Sequence, residues 1–180
     1  MNSRNNLFSN LSIRFANLED AENIAKIHVQ AWHESYLGLI DINYINSITF
    51  EDRLRLRQQI FLTKNFQSKC FVACWQGHII GFSDVGPSRE SSNIKGEIYS
   101  LYLLQAYKKQ GIGREMMKNI RTHFIQENLY PFMVWVLKEN KVARRFYENQ
   151  GGVEHGYEMS KMGDSSYPEI CYKFESVKTS

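Results

Sequence analysis

Cysteine and proline are scarce in this chain of 180 residues, with three of each. Cys70, Cys74 and Cys171 are odd in number and lack C-x-x-C spacing, which excludes a zinc ligand set or a disulfide framework and leaves them as small buried hydrophobes. No stretch approaches the roughly 18 consecutive apolar residues of a spanning helix, and the opening MNSRNNLFSN lacks the apolar run of a signal peptide. An excess of one charge is missing too. The 22 Lys and Arg against 19 Asp and Glu leave a formal +3, too balanced to point to nucleic acid or a membrane as partner. These absences predict a soluble, cytoplasmic protein. What is present is 43% hydrophobic and 13% aromatic residues, enough for a sizeable core. With no repeat or linker-like stretch, the expectation is a flexible tail over 1–10 and a single domain over 11–175.

Hydrophobic spacing gives the order of elements. Ser12 to Phe15 reads as a short strand, and Asn17 with Asp20 three positions on is a helix-capping pair. Ile24, Ile27, His28, Ala31 and Trp32 then recur at helical spacing to about Glu34. Thr49 and Asp52 cap a second helix over Phe50 to Leu62. Cys70 to Trp75 and Ile79 to Ser83, joined by Gln76, Gly77 and His78, read as a hairpin, followed by a polar loop from Asp84 to Lys95. From Gly96 the pattern is strand, turn, helix (Ile112 to Glu127), strand (Phe132 to Val136), helix (Lys141 to Asn149), and strands near Val153 to Glu158 and Glu169 to Phe174. Alternation places Glu97, Tyr99, Leu101 and Leu103 on one face of the strand, with Ile98, Ser100, Tyr102 and Leu104 on the other.

Gly111 and Gly113 flank Ile112 where that strand hands over to a helix. Missing Cβ atoms let backbone amides approach a ligand, and the unpaired N–H groups of the helix start, with Lys108, Lys109 and Arg114 close by, suit a pyrophosphate. A tight turn with no ligand remains the alternative for so short a motif. No Gly-Lys-Ser/Thr follows, and the three-glycine dinucleotide fingerprint is missing, so both nucleotide readings fall behind. Further on, Asn140 and Tyr147 stand seven positions apart, close to two helical turns of about 7.2 residues, so both can face one ligand. Lys138, Lys141, Arg144 and Arg145 surround them.

The two blocks, GEIYSLYLLQAYKKQGIGR from Gly96 and WVLKENKVARRFYENQGG from Trp135, together resemble the signature segments of the GCN5-related N-acetyltransferase superfamily. Lys108 stands where the family pattern has Gln or Arg, and Gly152 where an aromatic is usual. The resemblance implies a mixed α/β (α+β) fold, a mostly antiparallel twisted sheet of about six or seven strands flanked by about four helices. It implies acetyl-CoA as co-substrate. Its pyrophosphate would meet Lys108, Lys109, Gln110, Gly111, Ile112, Gly113 and Arg114, its pantetheine arm the backbone of Leu101, Tyr102 and Leu103, and the second block would add Asn140, Ala143 and Tyr147. Glu97 would remove a proton from the attacking ammonium, and Tyr147 would protonate the leaving thiolate. AWHESYLGLI resembles a WxxxYxG feature of one subgroup, so Trp32, Tyr36 and Tyr99 would line the pocket of a small-molecule or peptide amine. A homodimer is left open, and no metal is implied.

Each of these residues has a plainer reading. Glu97 sits at an exposed strand edge, Asn140 caps a helix, and Tyr147, Trp32, Tyr36 and Tyr99 pack as ordinary aromatics. His28 and His33 fit helix faces and read as structural. The rival functions are a non-catalytic acyl-CoA-binding module and an interaction protein that uses the fold as scaffold.

Overall fold

A computed structural model describes residues 10–63, 67–90 and 93–175. The tail expected over 1–10 lies almost wholly outside the described residues. The described chain forms a seven-stranded sheet in the order β1-β2-β3-β4-β5-β7-β6. The strands are β1 Leu11–Phe15, β2 Lys69–Trp75, β3 His78–Pro87, β4 Gly96–Leu103, β5 Phe132–Leu137, β6 Val153–Met162 and β7 Ser165–Phe174. Five helices accompany them: α1 Ala21–Tyr36, α2 Ile42–Asn46, α3 Phe50–Leu62, α4 Ile112–Gln126 and α5 Lys141–Asn149.

The local signals act as expected at most boundaries. Asn17 Oδ1 accepts from the Glu19 amide at 2.9 Å while Asp20 Oδ2 accepts from the Asn17 amide at 2.9 Å, forming a short 3-10 turn that leads into α1. Thr49 Oγ1 caps α3 through the Asp52 amide. Gln76 (φ 49°) and Gly77 (φ 83°) supply the two left-handed residues of a tight hairpin between Trp75 and His78.

Three expectations about the elements and their bounds need correction. α2 lies where only a break after α1 was expected; Asp41 caps it by accepting from the amides of Asn43 and Tyr44. β3 continues past Ser83 to Pro87, because the polar Asp84 is neutralised from α3 rather than turned to solvent. The last hairpin is longer than two short strands, closing through Gly163 and Asp164.

The sheet separates two layers. α4 and α5 cover one face, where Met117, Ile120, Phe124 and Tyr147 pack on Val85, Ile98, Phe132, Val134 and Tyr172. α1 and α3 cover the other, where Ile24, Ile27 and Ala31 pack on Val72 and Phe82, with Tyr102 against them. Strict alternation along β4 fails. The register passes from Asp84↔Ser100 to Val85↔Ile98 and leaves Tyr99 without a partner on β3. This bulge turns Leu101 and Leu103 to the α4 face, with Ile98, and leaves Glu97 and Tyr99 on the other, against Arg89.

Candidate active site

β4 and β5 are the sheet's parallel pair, joined by α4 as the crossover. Their ladder runs through Gly96↔Phe132, Glu97↔Met133 and Ile98↔Val134 and stops there. Beyond it, Tyr99–Leu103 of β4 and Trp135–Leu137 of β5 are no longer partners, so the two strands part into a wedge. A wedge with unpaired backbone edges accepts an extended, amide-bearing ligand as an added strand. It brings the backbone of Leu101, Tyr102 and Leu103 to its wall. Both helices that follow the parallel strands begin at its mouth, where open α/β sheets hold ligands.

The α4 start is built for an anion. Lys109 (φ 62°) and Gly111 (φ 90°) take left-handed backbone, and Gly111 is an N-cap with no side chain to satisfy the amides that follow it. The leading N–H groups of Ile112, Gly113 and Arg114 thus point out of the helix without an intrahelical acceptor. The helices α2, α3 and α5 are each capped by a side chain instead. Lys108 is half-buried, and that burial pulls its pKa down. Gln110 is occupied locally, donating Nε2–H to the Ala106 carbonyl. Gly113 has a second reason to lack a side chain, since a Cβ there would lie 3.1 Å from the Phe146 ring of α5. The donors, the charges and the wedge beside them fit a coenzyme A pyrophosphate followed by its pantetheine arm.

Asn140 is the α5 N-cap, its Oδ1 accepting from the Ala143 amide at 3.1 Å. Tyr147 is 5% exposed. Burial, and then the nearby Tyr36 phenol, push its pKa well above the usual tyrosine value. Its hydroxyl has no hydrogen-bond partner among the described residues, which leaves the proton available for donation. Arg144 is engaged locally: it donates to the Tyr172 hydroxyl, the Lys138 carbonyl and Glu154.

On the opposite side of the wedge, Trp32 and Tyr36 meet edge to face at 4.5 Å between ring centres. The Tyr36 and Tyr102 hydroxyls lie 3.3 Å apart. Tyr44, Tyr167 and Leu137 close this cluster from α2, β7 and β5. Tyr99 makes no ring contact with it among the described residues; its hydroxyl donates to the Pro87 carbonyl, and Arg89 lies over its ring. The Tyr102 side chain, Tyr44 and Tyr167 reach Tyr36 only through the tertiary fold, as does the charge of Glu169, and no local pattern in the sequence marks them. His28 is buried and neutral: burial, then the charges of Arg57 and Arg53, push its pKa down to about 3.

Glu97 is 2% exposed rather than at an open edge. Both of its oxygens are engaged by Arg89, through Nε at 3.0 and 3.2 Å, through Nη2, and through the backbone amide at 3.0 Å. Its lone pairs are thus directed at Arg89 rather than at an incoming amine.

The fold recurs widely. The PaiA N-acetyltransferase of Thermoplasma acidophilum, solved in complex with coenzyme A, superposes with a TM-score of 0.67 at 20% identity, over 91% of this chain and 99% of that one. In sequence, the chain is 32% identical over 136 residues to the uncharacterized N-acetyltransferase YuaI of Bacillus subtilis (strain 168), covering 72% of this chain and 73% of the relative. It is 23% identical over 144 residues to the spermidine N(1)-acetyltransferase of Thermoplasma acidophilum, covering 78% and 87%. Residues 19–152 match the model of the acetyltransferase (GNAT) family. The chain with the split β4–β5 pair and the uncapped α4 therefore belongs to the GNAT family of acetyltransferases, enzymes whose co-substrate is acetyl-CoA.

Proposed function

We propose that this enzyme moves the acetyl group directly to a primary amine of a small molecule or peptide, within a ternary complex, and that the acceptor is a cationic amine of the polyamine type. The observation that carries direct transfer is the wedge itself. One side of it carries the anion cradle and Tyr147, while the other carries the aromatic wall of Trp32, Tyr36, Tyr44 and Tyr102. Donor and acceptor can then meet in one place without a covalent enzyme intermediate.

Bound in the wedge, acetyl-CoA supplies an activated thioester. The amides of Ile112, Gly113 and Arg114 and the lysines 108 and 109 bind the pyrophosphate; Asn140 and Ala143 line the arm. A backbone amide among Leu101, Tyr102 and Leu103 polarises the thioester carbonyl. Tyr147 holds a proton for the departing sulfur, which its raised pKa keeps in place at neutral pH. Glu97, expected as the base, serves in this reading to anchor Arg89 at the head of β4.

Polyamine character is supported by the carboxylates of Glu158 and Glu169, which face each other across β6 and β7, and by the aromatic surfaces opposite, which favour cations. The spermidine enzyme among the relatives points the same way. Release of free thiol from acetyl-CoA, followed with spermidine, amino acids, aminoglycosides and peptide N-termini, tests the reading. Turnover should be fastest with spermidine-like amines. A preference for neutral amino acids or peptides would overturn the polyamine assignment, and no turnover with any amine would overturn amine acetylation.

A further inference from the structure

Glu169 stands on β7 opposite Leu137 of β5, and Leu137 packs in the cluster of Trp32, Tyr36 and Tyr44. Glu97 instead pairs with Met133 of β5, four positions earlier, at the closed vertex of the wedge. Four strand residues span about 13 Å. Glu169 is thus level with the open part of the wedge, where Leu101 to Leu103 stand four to six residues beyond Glu97 on β4. It also shares a face with the acceptor side: Cys171, two residues on, packs with Met133 and Trp135.

The immediate surroundings of Glu169 differ from those of Glu97. Ser160 donates its hydroxyl to Oε2. Oε1 has no partner among the described residues. The groups that face it are Glu158 from β6, Arg89 from the segment after β3, and the Tyr36 phenol from α1. The Tyr36 phenol is also felt by Tyr147, so it is a neighbour common to that tyrosine and this carboxylate.

We propose that Glu169 takes the proton from the acceptor ammonium, a role that rests on the acetyl-transfer reading above. The ammonium gives one proton to Glu169. The lone pair so freed forms the C–N bond as the C–S bond breaks, and sulfur leaves with that electron pair. Tyr147 protonates the sulfur, and the second proton shed by nitrogen returns through solvent to the tyrosinate. Glu169 then loses its proton to water, and the sum is an amide, a free thiol and one proton released. Burial raises the Glu169 pKa; the Ser160 hydrogen bond opposes that, Glu158 adds to it and Arg89 opposes it. A carboxyl raised towards neutrality is a better base than an ordinary one.

The test is the pH profile of kcat/KM with acetyl-CoA and spermidine, or the best amine of the panel above, for wild type, Glu169→Gln, Ser160→Ala and Glu97→Gln. Glu169→Gln should lose on the order of 100-fold in kcat and lose the acid limb, with the rise in Tm caused by CoA retained. Ser160→Ala should move the acid limb to higher pH, since the lost bond favours the charged carboxylate. Glu97→Gln should keep the limb. Retention of rate and limb in Glu169→Gln, an unmoved limb in Ser160→Ala, or loss of the limb in Glu97→Gln alone would overturn the proposal. Should Glu169→Gln fail to fold, the Ser160→Ala profile decides. A wild-type protein inactive on every amine removes the acetyl-transfer reading, and the base with it; an active wild type with an indifferent Glu169 removes only the base.

Discussion

Arg57 reaches from α3 into the sheet and binds both oxygens of Asp84 on β3, at 2.5 and 2.7 Å, with its side chain 2% exposed. Ser100 Oγ donates to the same carboxylate at 2.8 Å, so α3, β3 and β4 are tied at one point. Burial alone would raise the Asp84 pKa, but the charge and hydrogen bonds of Arg57 outweigh it and hold the carboxyl below its usual value. Asp84→Asn leaves a buried guanidinium without its counter-charge and should cost about 3–5 kcal/mol of stability. Replacing both partners, Arg57→Met with Asp84→Leu, should recover most of that. Urea unfolding of the three proteins measures the difference; an equal loss in the single and double variants would show that the pair holds the fold through something other than its charges.

His28 makes the stability of the fold depend on pH. Its folded pKa is pushed down to about 3, chiefly by burial, while the unfolded chain titrates near 6.5. The unfolded state therefore binds more protons between those values, and stability rises with pH across the window. Going down from pH 6.5, His28 should remove about 1.4 kcal/mol per pH unit. His28→Leu, which keeps an apolar neighbour for Phe82 and Tyr102, should flatten the urea midpoint between pH 6.5 and 4. The midpoint of both proteins across that range decides it, and parallel slopes would count against the assignment.

Arg89 and Glu97 couple the segment after β3 to the head of β4. Arg89→Ala strands a buried carboxylate, but the Arg89 side chain is 67% exposed, so water repays part of the loss and about 1–2 kcal/mol is expected. Glu97→Gln added to Arg89→Ala should be less destabilising than Arg89→Ala alone, because the uncompensated charge is gone. A double-mutant cycle on Tm measures the coupling; additive effects would show that the two residues are independent.

What could be read from the chain and what could not divide along the range of the interactions. The capping pair Asn17 and Asp20, the Gln76–Gly77 turn and the Gly111 helix start are fixed by chemistry within a few residues, and each appears where its spacing places it. Asp84 was read as loop because its neutralising partner lies 27 positions earlier. The bulge at Tyr99 depends on the pairing of β3 with β4, and it reverses the face of Leu101 and Leu103 that simple alternation assigns. Tyr36, Tyr102 and Glu169 converge only after α1, β4 and β7 are assembled, so no local motif announces them. In the proposed reading the family blocks carry the cofactor's chemistry, whereas the acceptor side is assembled only by the tertiary fold.

Gly111 is the position on which the anion cradle turns. At φ 90° a Cβ carries the left-handed penalty of about 1–2 kcal/mol, and relief of that strain would rotate the amides that follow. Gly111→Ala should therefore raise KM for acetyl-CoA by about tenfold or more, with a smaller change in kcat. Initial rates at varied acetyl-CoA, with the CoA-induced Tm shift as a second readout, test it; an unchanged KM would mean that the amides of α4 do not hold the pyrophosphate.

Tyr147→Phe separates the acid from the packing residue. The ring contacts with Phe146, Tyr172 and Phe174 survive the substitution, and the lost hydroxyl has no hydrogen-bond partner among the described residues, so stability should change little. The proton for the sulfur is lost, and kcat should fall by about 100-fold, while the CoA-induced Tm shift is kept. The high-pH side of the rate profile gives a second check. Burial raises the phenol's pKa, so the wild-type enzyme should hold its acid form beyond the ordinary tyrosine range near 10. A Tyr147→Phe variant that turns over at the wild-type rate, or a wild-type rate that falls away well below pH 10 with this phenol as its cause, would remove Tyr147 as the donor.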